Sequence, residues 1–377
     1  MERLNVLIVG GGLQALSCGE SLFSKHSVDI ITKDLQCKKS RFFNKVFQQD
    51  LSDSVLNSIL EGKHYDILIP VSDLYVPFIS KNKNRIEKVY RVKCAAPDCS
   101  KLSLVENKNR FMAFCKEKGI PHPKTFTLSE NNIKEASEAI GFPSLIKPDF
   151  SGGARGITRV DCQDDLERFA RRIIAQYGTC TLQELVLNTD YYFNVMMYRN
   201  KEGEILAYCI IKIVRMFPIG AGSSTCCVSI DNKELFDICA DALKEIEWVG
   251  MADFDVLQRL DTHEYKIIEI NPRVPASLRA AAISGVNFPE LIVQDTVGTN
   301  EIRCSDTYTT GKILRYLGTD ILWLMKTRKP FRNTPSWWKF YGNEIYYQDI
   351  YLTDPSTWWT WLADGIIKLR KRNKKLR

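Results

Sequence analysis

The chain has 377 residues, with 52 lysines and arginines against 45 aspartates and glutamates, so its formal net charge is +7. Seven of the basic side chains and no acidic ones lie in the last ten residues, 368–377, so the rest of the chain is electroneutral. A content of 45% hydrophobic and 26% charged residues is typical of a globular protein with two or three packed units. These figures exclude a disordered or fibrous chain. The neutral body argues against nucleic acid as a partner, because phosphate contacts need distributed lysine and arginine.

The twelve cysteines are scattered and form no CxxC pair, and the apolar run that opens MERLNVLIVGGG is too short for a secretory signal. The longest later apolar stretch, AYCIIKIVRMFPIG, is interrupted by Lys212 and Arg215, well short of the roughly 20 residues that a spanning helix needs. We therefore expect a soluble, cytoplasmic protein with reduced thiols.

Short apolar strands alternate with helical patterns in the first third of the chain. Strand candidates at residues 6–9, 28–31 and 67–71 are separated by one helical pattern after Gly10-Gly11-Gly12 and by another in DSVLNSILEG. This alternation predicts a doubly wound parallel sheet, so we assign residues 1–105 to an α/β unit.

From about residue 106 the pattern becomes α+β. A helical segment and the prolines of GIPHPKT precede short apolar runs separated by turns, which are typical of antiparallel strands. The strand candidates are residues 144–147, 157–160, 181–185, 191–198, 205–214, 252–257 and 265–270. We predict a core at 106–318 with subdomains at 106–187 and 188–318, followed by a tryptophan-rich extension at 319–377.

The turn in VGGGLQA offers a first functional hypothesis. A glycine-rich turn after a strand, with Asp34 near the end of the next strand, is the arrangement that dinucleotide-binding folds use. It would make the protein a nicotinamide-dependent oxidoreductase. The same turn occurs wherever a strand enters a helix tightly, and this structural role is the preferred interpretation.

A lysine and a loop of small residues in FPSLIKPDFSGGARGI suggest a phosphate site. Lys147 ends a predicted strand, and the loop that follows contains Ser151, Gly152, Gly153 and Gly156. The lysine offers charge to phosphate oxygens, and small residues let backbone N–H groups approach them. A β-hairpin turn would use the same residues, so both interpretations stay open.

The segment TLQELVLNTD is a candidate for recognising a nucleoside. Gln183, Glu184, Leu185 and Val186 leave a predicted strand, and Asp190 follows them. Backbone groups of such a hinge can read an adenine edge, while a carboxylate accepts ribose hydroxyls. An edge strand followed by a turn is the alternative.

Hard oxygen ligands cluster in ADFDVLQRLDTHEYKIIEINPR. Glu269 and Asn271 are two residues apart on one strand and so lie on one face, with Asp253 on the preceding strand of a hairpin. These oxygens suit Mg²⁺ that bridges phosphates, and Arg273 adds a planar donor fork on the same side. A polar, solvated face of the sheet is the alternative.

Taken in order, these segments resemble the ATP-grasp superfamily, and within it the carboxylate–amine ligases related to the large subunit of carbamoyl phosphate synthetase. The resemblance covers about residues 1–300 and rests on ENKNRF, GIPHPKT, FPSLIKP with SGGARG, QELV, RMFPIGAGSST, and ADFDV with EINPR. It implies a Rossmann-like N-terminal (pre-ATP-grasp) domain, followed by an ATP-grasp core that binds ATP between its two α+β subdomains.

The resemblance also implies roles for single residues. Lys108 and Lys147 would hold the ATP phosphates, residues 183–186 would hold the adenine, and Asp190, where the superfamily often has glutamate, would bind ribose. Arg273 would stabilise the transferring phosphoryl group and the acyl-phosphate. The residues that would hold two Mg²⁺ ions, or Mn²⁺ as the alternative metal, are Asp253, Glu269 and Asn271.

A ligase of this kind joins a carboxylate to an amine through an acyl-phosphate and releases ADP and phosphate, which requires positioning and charge more than a protein nucleophile. Lys212 and Arg215 are candidates for holding the acceptor carboxylate, with an exposed strand face as the alternative. Amino acids, a peptide precursor or an amino sugar would suit as small-molecule substrates. A noncatalytic nucleotide-binding protein is the remaining alternative, if the metal ligands do not converge.

The end of the chain raises a separate question about location. An amphipathic stripe precedes the basic residues 368–377, and its members are Trp358, Trp361, Leu362, Ile366 and Leu369. Residues 358–377 would suit peripheral contact with an anionic inner membrane surface, while a helix packed on the enzyme with a solvated tail is the preferred interpretation. A homodimer stays open.

Overall fold

The structure is a computed structural model that describes residues 3–150, 156–188, 190–220, 222–299, 307–328, 330–331 and 334–358. Three sheets organise this part of the chain. The predicted stripe from residue 361 onward and the basic residues 368–377 lie outside the described residues. Within the described ranges, every helix is too short or too polar to cross a lipid bilayer.

The first sheet is parallel throughout and has the strand order β3-β2-β1-β4-β5. Its strands are β1 (Asn5–Val9), β2 (Ser27–Ile31), β3 (Lys45–Phe47), β4 (Ile67–Pro70) and β5 (Lys93–Cys94). The helices between them are α1 (Gly12–Leu22), α2 (Leu35–Lys39), α3 (Asp53–Gly62) and α4 (Tyr75–Tyr90). The central strands β1 and β4 are apolar on both faces because helices cover both sides, and the predicted doubly wound parallel sheet is confirmed.

The second sheet is antiparallel and has four strands in the order β6-β9-β7-β8. They are β6 (Thr125–Leu128), β7 (Ser144–Pro148), β8 (Thr158–Val160) and β9 (Cys180–Glu184). Helices α5 (Cys99–Glu106) and α6 (Lys108–Lys118) lead into the sheet, and α7 (Ile133–Ile140) and α8 (Gln163–Tyr177) cover one face of it. Leu166 of α8 packs there with Ile146 and Leu182 in a small separate core.

The third sheet has seven strands in the order β14-β13-β10-β11-β12-β15-β16. They are β10 (Tyr192–Arg199), β11 (Ile205–Phe217), β12 (Ser223–Ile230), β13 (Gly250–Gln258), β14 (Tyr265–Asn271), β15 (Ile313–Arg315) and β16 (Ile345–Tyr347). Neighbouring strands are antiparallel except for the pair β15 and β16. The mixed α/β and α+β fold class predicted from the sequence is confirmed.

The two faces of the third sheet pack against different parts of the chain. Helix α9 (Lys233–Ile246) covers one face, where Leu243 packs in a core with Phe254. The other face packs against α10 (Leu278–Ile283), α11 (Phe288–Val297) and the first unit, so that Ile8 of β1 and Met196 of β10 belong to one buried cluster. This shared core brings the carboxyl edge of the first sheet towards the third sheet.

The tryptophan-rich extension contributes to both of these units. Its strand β16 pairs with β15 at the edge of the third sheet, and Asp354 accepts hydrogen bonds from Ser40 Oγ at 2.6 Å and from the Arg41 N–H at 2.9 Å in the first unit. The Tyr351 ring lies 4.1 Å from the guanidinium of Arg279. Residues 345–358 therefore join the first unit to the far edge of the third sheet.

A buried ion triad connects the extension to the centre of the third sheet. Asp320, on α12 (Leu317–Lys326), accepts from Arg215 Nε at 2.7 Å and from Arg315 Nη2 at 2.8 Å. The three side chains are at most 1% exposed. The remaining Nη1 groups donate to the carbonyl oxygens of Pro335 at 2.7 Å and Lys339 at 2.8 Å, so the two cations share one anion and several carbonyl oxygens.

Replacing Asp320 by alanine would leave two buried guanidinium groups without their anion. Removing one partner from a buried pair costs about 3–5 kcal/mol, and we expect a loss of this size in the free energy of unfolding measured by urea denaturation. The matched control is Asp237→Ala, which removes an exposed pair with Lys233 on α9 and should cost at most about 0.5 kcal/mol. Equal losses in the two variants would contradict the triad's structural role.

Candidate active site

Polar side chains collect on one face of three adjacent strands in the third sheet. Asp253 pairs in register with Asn271, and Asp255 pairs with Glu269, so all four side chains lie on the same face of β13 and β14. Asn194 of β10 lies opposite Asp255 and donates a hydrogen bond to its carboxylate. The structure thus brings together the three predicted metal ligands and adds two residues. Asp255 was missed, although its spacing of two residues from Asp253 is the signal that could have identified it.

The carboxylates of this cluster are buried at Asp253 and partly buried at Asp255 and Glu269. Asp253 is 2% exposed, and among the described residues its Oδ1 atom has no hydrogen-bond partner, while Asn271 Nδ2 lies 3.4 Å from Oδ2. Burial raises the pKa of Asp253, Arg273 opposes that rise, and the charge of Glu269 adds to it. Burial and Glu269 raise the pKa of Asp255 in the same way. Burial and mutual repulsion therefore disfavour the ionised forms of these carboxyl groups, and Arg273 offsets this only in part.

This donor set fits a divalent cation that also binds phosphate oxygens. In the described part of the chain, no group of three or more His, Cys, Asp or Glu side chains could hold a metal ion by itself. Mg²⁺ is usually held by one or two carboxylates together with substrate phosphates and water. The unpartnered oxygen of Asp253 and the neighbouring carboxylates Asp255 and Glu269 match that mode of binding.

Lys147 approaches the cluster from the second sheet. It lies at the end of β7, is 8% exposed, and donates from Nζ to Gln183 Oε1 on β9. Burial lowers its pKa to about 8; Glu269 and Asp255 oppose this shift, and Lys108 contributes to it. Lys147 is thus near enough to Glu269, Asp255 and Lys108 for their charges to act on it.

The glycine-containing loop after β7 lies partly outside the described residues, which exclude Ser151, Gly152 and Gly153. Gly156 has φ +76°, and a Cβ atom there would lie 2.7 Å from Pro148 Cγ and 2.9 Å from Tyr177 Cε2. Glycine is therefore needed where the chain turns back beneath Pro148. A role for Gly156 in phosphate binding stays a prediction.

The predicted adenine hinge connects the second and third sheets. The Glu184 carboxylate accepts a hydrogen bond from the Lys124 N–H at 2.9 Å. It also lies 3.3 Å from Nη1 of Arg259, the residue after β13. The Leu185 N–H donates to the Pro143 carbonyl at 3.1 Å. Val186 is buried. Asp190 is exposed, two residues before β10 begins. The hinge is thus fixed at the junction of the two sheets, where a nucleotide between them would lie.

Arg273 joins the cluster to the first sheet. Its Nη2 lies 3.4 Å from Asn271 Oδ1, and the guanidinium is held by Asp73 through Nε to Oδ1 at 2.5 Å and Nη2 to Oδ2 at 3.0 Å. Asp73 follows β4 at the carboxyl edge of the parallel sheet. Burial and the charge of Asp73 raise the pKa of the nearby Glu106 to about 7.

Sequence reasoning missed Asp73 and Glu106. Asp73 is separated from Arg273 by 200 residues, so no local pattern connects them. Its position after a parallel strand, beside the glycine turn, is the signal that could have identified it, because ligands of such sheets bind at the carboxyl ends of the strands.

The prediction that Lys212 contacts the acceptor carboxylate at this site is wrong. On β11, Ile211 pairs with Asn194 on the face of the cluster, whereas Lys212 pairs with Phe193 on the opposite face. Its Nζ lies 3.5 Å from the centre of the Tyr191 ring. Because side chains alternate along a strand, the sheet separates Lys212 from the carboxylates.

The same prediction for Arg215 is also wrong, because its guanidinium is buried and forms an ion pair with Asp320. The polar side chains that face the cluster on this side come from β10. Among them is Tyr192, whose pKa is raised by burial and by the charges of Asp255 and Asp253.

The glycine turn of the first sheet serves local structure. The Asp34 Oδ1 atom accepts from the N–H groups of Gln36 at 2.8 Å and Cys37 at 3.3 Å, and Oδ2 accepts from the Gly12 N–H at 3.1 Å. A Cβ at Gly11 would lie 2.8 Å from Asp34 Cβ. The carboxylate that a nicotinamide cofactor would need for its ribose is therefore used to cap α2 and to close the turn.

Comparisons with known proteins find similarity to ATP-grasp enzymes. A family model described as "ATP-grasp in the biosynthetic pathway with Ter operon" matches residues 202–316. The carbamoyl phosphate synthase large chain of Sulfolobus acidocaldarius is 27% identical over 215 residues, which cover 55% of this chain and 20% of that protein. The D-aspartate ligase of Enterococcus faecium is 24% identical over 270 residues, covering 67% of this chain and 63% of the ligase. The chain thus spans about a fifth of the first relative and less than two thirds of the second.

A solved structure extends the likeness to the fold. The N5-carboxyaminoimidazole synthetase of Staphylococcus aureus complexed with ADP superposes with a TM-score of 0.68 at 13% identity, over 83% of this chain and 82% of that one. The chain thus has the fold of this synthetase, carries a match to an ATP-grasp family model at residues 202–316, and is similar in sequence to the large chain of carbamoyl phosphate synthase.

Proposed function

We propose that the protein is an ATP-dependent ligase that joins a carboxylate to an amine through an acyl-phosphate and releases ADP and phosphate. The observation that carries the proposal is the convergence of Lys147 from the second sheet with Arg273 and the buried carboxylates of the third sheet. A buried lysine suits phosphate, and clustered carboxylates suit the cation that accompanies ATP. Two relatives support this chemistry, since one is named a ligase and the other a carbamoyl phosphate synthase.

The residues that would hold Mg²⁺ are Asp253, Asp255, Glu269 and Asn271. The chemistry that magnesium would supply at these residues is positive charge beside the transferring phosphoryl group. Manganese would accept the same oxygen ligands, so it is the alternative metal. The charge of a bound cation would also keep the buried carboxylates ionised, which burial alone opposes.

The chain's own residues supply binding and charge. Lys147 and Lys108 would neutralise phosphate oxygens, residues 183–186 would hold the base, and Asp190 would accept the ribose hydroxyls. Arg273 would face the transferring phosphoryl group. Its Nη2–H donates a hydrogen bond to Asn271 Oδ1, which lies beside the carboxylates. Phosphoryl transfer needs mainly positioning and electrostatic stabilisation, and these side chains provide both.

The co-substrates would meet ATP where the first sheet faces the cluster. Asp73 and Glu106 lie on the side of the first unit, and Tyr192 lies on the side of the third sheet. Acidic groups at this position suit the ammonium group of an amino-acid-like or amino-sugar-linked substrate. The free thiols of the eleven cysteines in the described residues, together with the need for ATP, support a cytoplasmic location.

The central test is phosphate release from MgATP with a panel of carboxylates paired with amines. We expect one pair to stimulate release, and Glu269→Ala to reduce the stimulated rate at least about a hundredfold, because a buried ligand of the reacting centre is lost. Asp237→Ala, on the surface of α9, is the matched control and should retain the full rate. A Glu269→Ala variant as active as the control would contradict the proposal.

The low pKa of Lys147 predicts a pH dependence of ATP binding. The ammonium form of Lys147 binds phosphate. The affinity for ATP is therefore highest well below pH 8 and is lost as the pH rises through 8. Between pH 7 and pH 9 the protonated fraction falls about tenfold, and the dissociation constant from calorimetry should rise by that factor.

Lys147→Arg is the control for this dependence, since a guanidinium stays charged over the whole range. Its affinity should be nearly independent of pH in the same titration. Parallel pH profiles for the wild type and Lys147→Arg would show that Lys147 does not bind the phosphates.

The contact between Asp73 and Arg273 predicts a positioning role for Asp73. Asp73→Asn removes the bidentate carboxylate, so we expect turnover to fall about tenfold while the KM for ATP stays within about twofold. Asp53→Asn is the control, because Asp53 is equally exposed and also pairs with an arginine, Arg85, which has no contact with the cluster. Unchanged turnover in Asp73→Asn would rule out this role.

A further inference from the structure

Helix α12 has one face buried in the protein and an apolar face that is exposed. Asp320 and Trp323 point into the protein, where Asp320 holds the ion triad. On the other side Ile321, Leu322 and Met325 are exposed, and Met325 is 73% exposed. Spacings of one and four residues place these three on a single stripe of the helix. One face is therefore fixed by the core, while the stripe on the other side has no protein covering it among the described residues.

An aromatic segment, which consists of Phe331, Trp337 and Trp338, continues this exposed surface. The ring of Phe331 stacks on that of Trp338 with centroids 6.3 Å apart, and Trp338 packs edge-on against Trp337 at 5.0 Å. Trp337 is buried, and its indole N–H donates to the Asp320 carbonyl on α12 at 3.2 Å. The aromatic segment is thus attached to α12 through the core and not by its exposed rings.

We call this surface the C-terminal apolar face. Its exposed side chains are Ile321, Leu322, Met325, Phe331, Trp338 and Tyr341. Solvent-exposed apolar groups in this number are unusual for a surface that contacts only water, and they indicate a docking site.

The charge of the same stretch indicates the kind of partner. Residues 321–343 contain no aspartate or glutamate and five basic residues, which are Lys326, Arg328, Lys329, Arg332 and Lys339. In the structure Lys339 pairs with Glu344. An apolar surface rich in tryptophan and tyrosine, in a stretch of sequence with a surplus of basic residues, matches an anionic lipid surface, where rings lie at the headgroup level and cations contact the headgroups.

We propose that the C-terminal apolar face docks on the surface of an anionic lipid bilayer. The proposal does not depend on the ligase function. The basic tail at 368–377 is a poor cover for this face, because its seven cations would lie against five more of the same sign. A second copy would bring the same cations together. An anionic bilayer attracts both basic segments and accepts the apolar side chains.

The test is co-sedimentation of the full chain with two kinds of vesicle, phosphatidylcholine alone and phosphatidylcholine mixed with phosphatidylglycerol. We expect binding to the anionic vesicles, weakened by added salt, and little binding to the neutral ones. The double variant Leu322→Glu, Met325→Glu should bind the anionic vesicles at least about tenfold more weakly. Tyr341→Glu, at a second point of the face, should weaken binding in the same direction.

Val89→Glu is the matched control, because Val89 is an exposed apolar residue on α4 and lies outside the face. It should bind as the wild type does. Melting temperatures of the three variants should equal that of the wild type, since all substituted side chains are exposed.

Three results would overturn the proposal. One is equal binding of the wild type to neutral and anionic vesicles, or to neither. Another is full binding by the Leu322→Glu, Met325→Glu variant together with complete loss in a chain that lacks residues 365–377, which would assign lipid contact to the tail alone. The third is a wild-type dimer in light scattering that the double variant converts to a monomer without any change in lipid binding.

Discussion

Buried negative charge on one face of β13 and β14 is the constraint on which the rest of the site depends. Register between the two strands places the buried Asp253 and the partly buried Asp255 beside Glu269. Carboxylates in such a place are costly unless cations compensate them. The structure supplies cations from two other elements, Lys147 from the second sheet and Arg273 from the turn after β14. The same charge then becomes useful, because it can bind a metal together with phosphate.

The compensating charges come together because the three sheets pack against one another. Lys147 reaches the cluster only because the segment at residues 183–188 fixes the second sheet against the hairpin of β13 and β14. Arg273 is held by Asp73 because the first sheet shares a core with the third. The second sheet contributes the positive charge of Lys147, and the first sheet contributes Asp73, which holds the positive Arg273. The site is therefore a property of how the sheets pack, and a separated sheet would keep only part of it.

The ion triad around Asp320 shows the opposite use of buried charge. Two arginines surround one carboxylate, and carbonyl oxygens accept their remaining protons, so the group is satisfied within the protein. It leaves no unpaired oxygen for a ligand, in contrast to Asp253. The triad fixes α12 and the aromatic segment to the third sheet, which in turn holds the exposed stripe of α12 in place. Buried charge in this chain is thus used for structure at one end of the third sheet and is available for chemistry at the other.

Alternation of side chains made much of this architecture predictable from the sequence. The parallel first sheet follows from apolar runs that alternate with helical patterns, and the shared face of Glu269 and Asn271 follows from their spacing. The face of Lys212 could not be predicted, because β11 is apolar on both sides and its own pattern does not distinguish them. Arg215 was misassigned because its partner, Asp320, is 105 residues away. Asp73 was missed for the same reason, since contacts between sheets leave no local pattern.

The central claim is that ATP activates a carboxylate by phosphorylating it. The most direct measurement uses a stimulating carboxylate labelled with oxygen-18 and analyses the released phosphate by mass spectrometry. An acyl-phosphate transfers one carboxylate oxygen to phosphate when the amine displaces it, so the account predicts phosphate that carries one labelled oxygen per turnover. Phosphate free of the label would mean that water attacks ATP directly, and it would contradict the ligase mechanism.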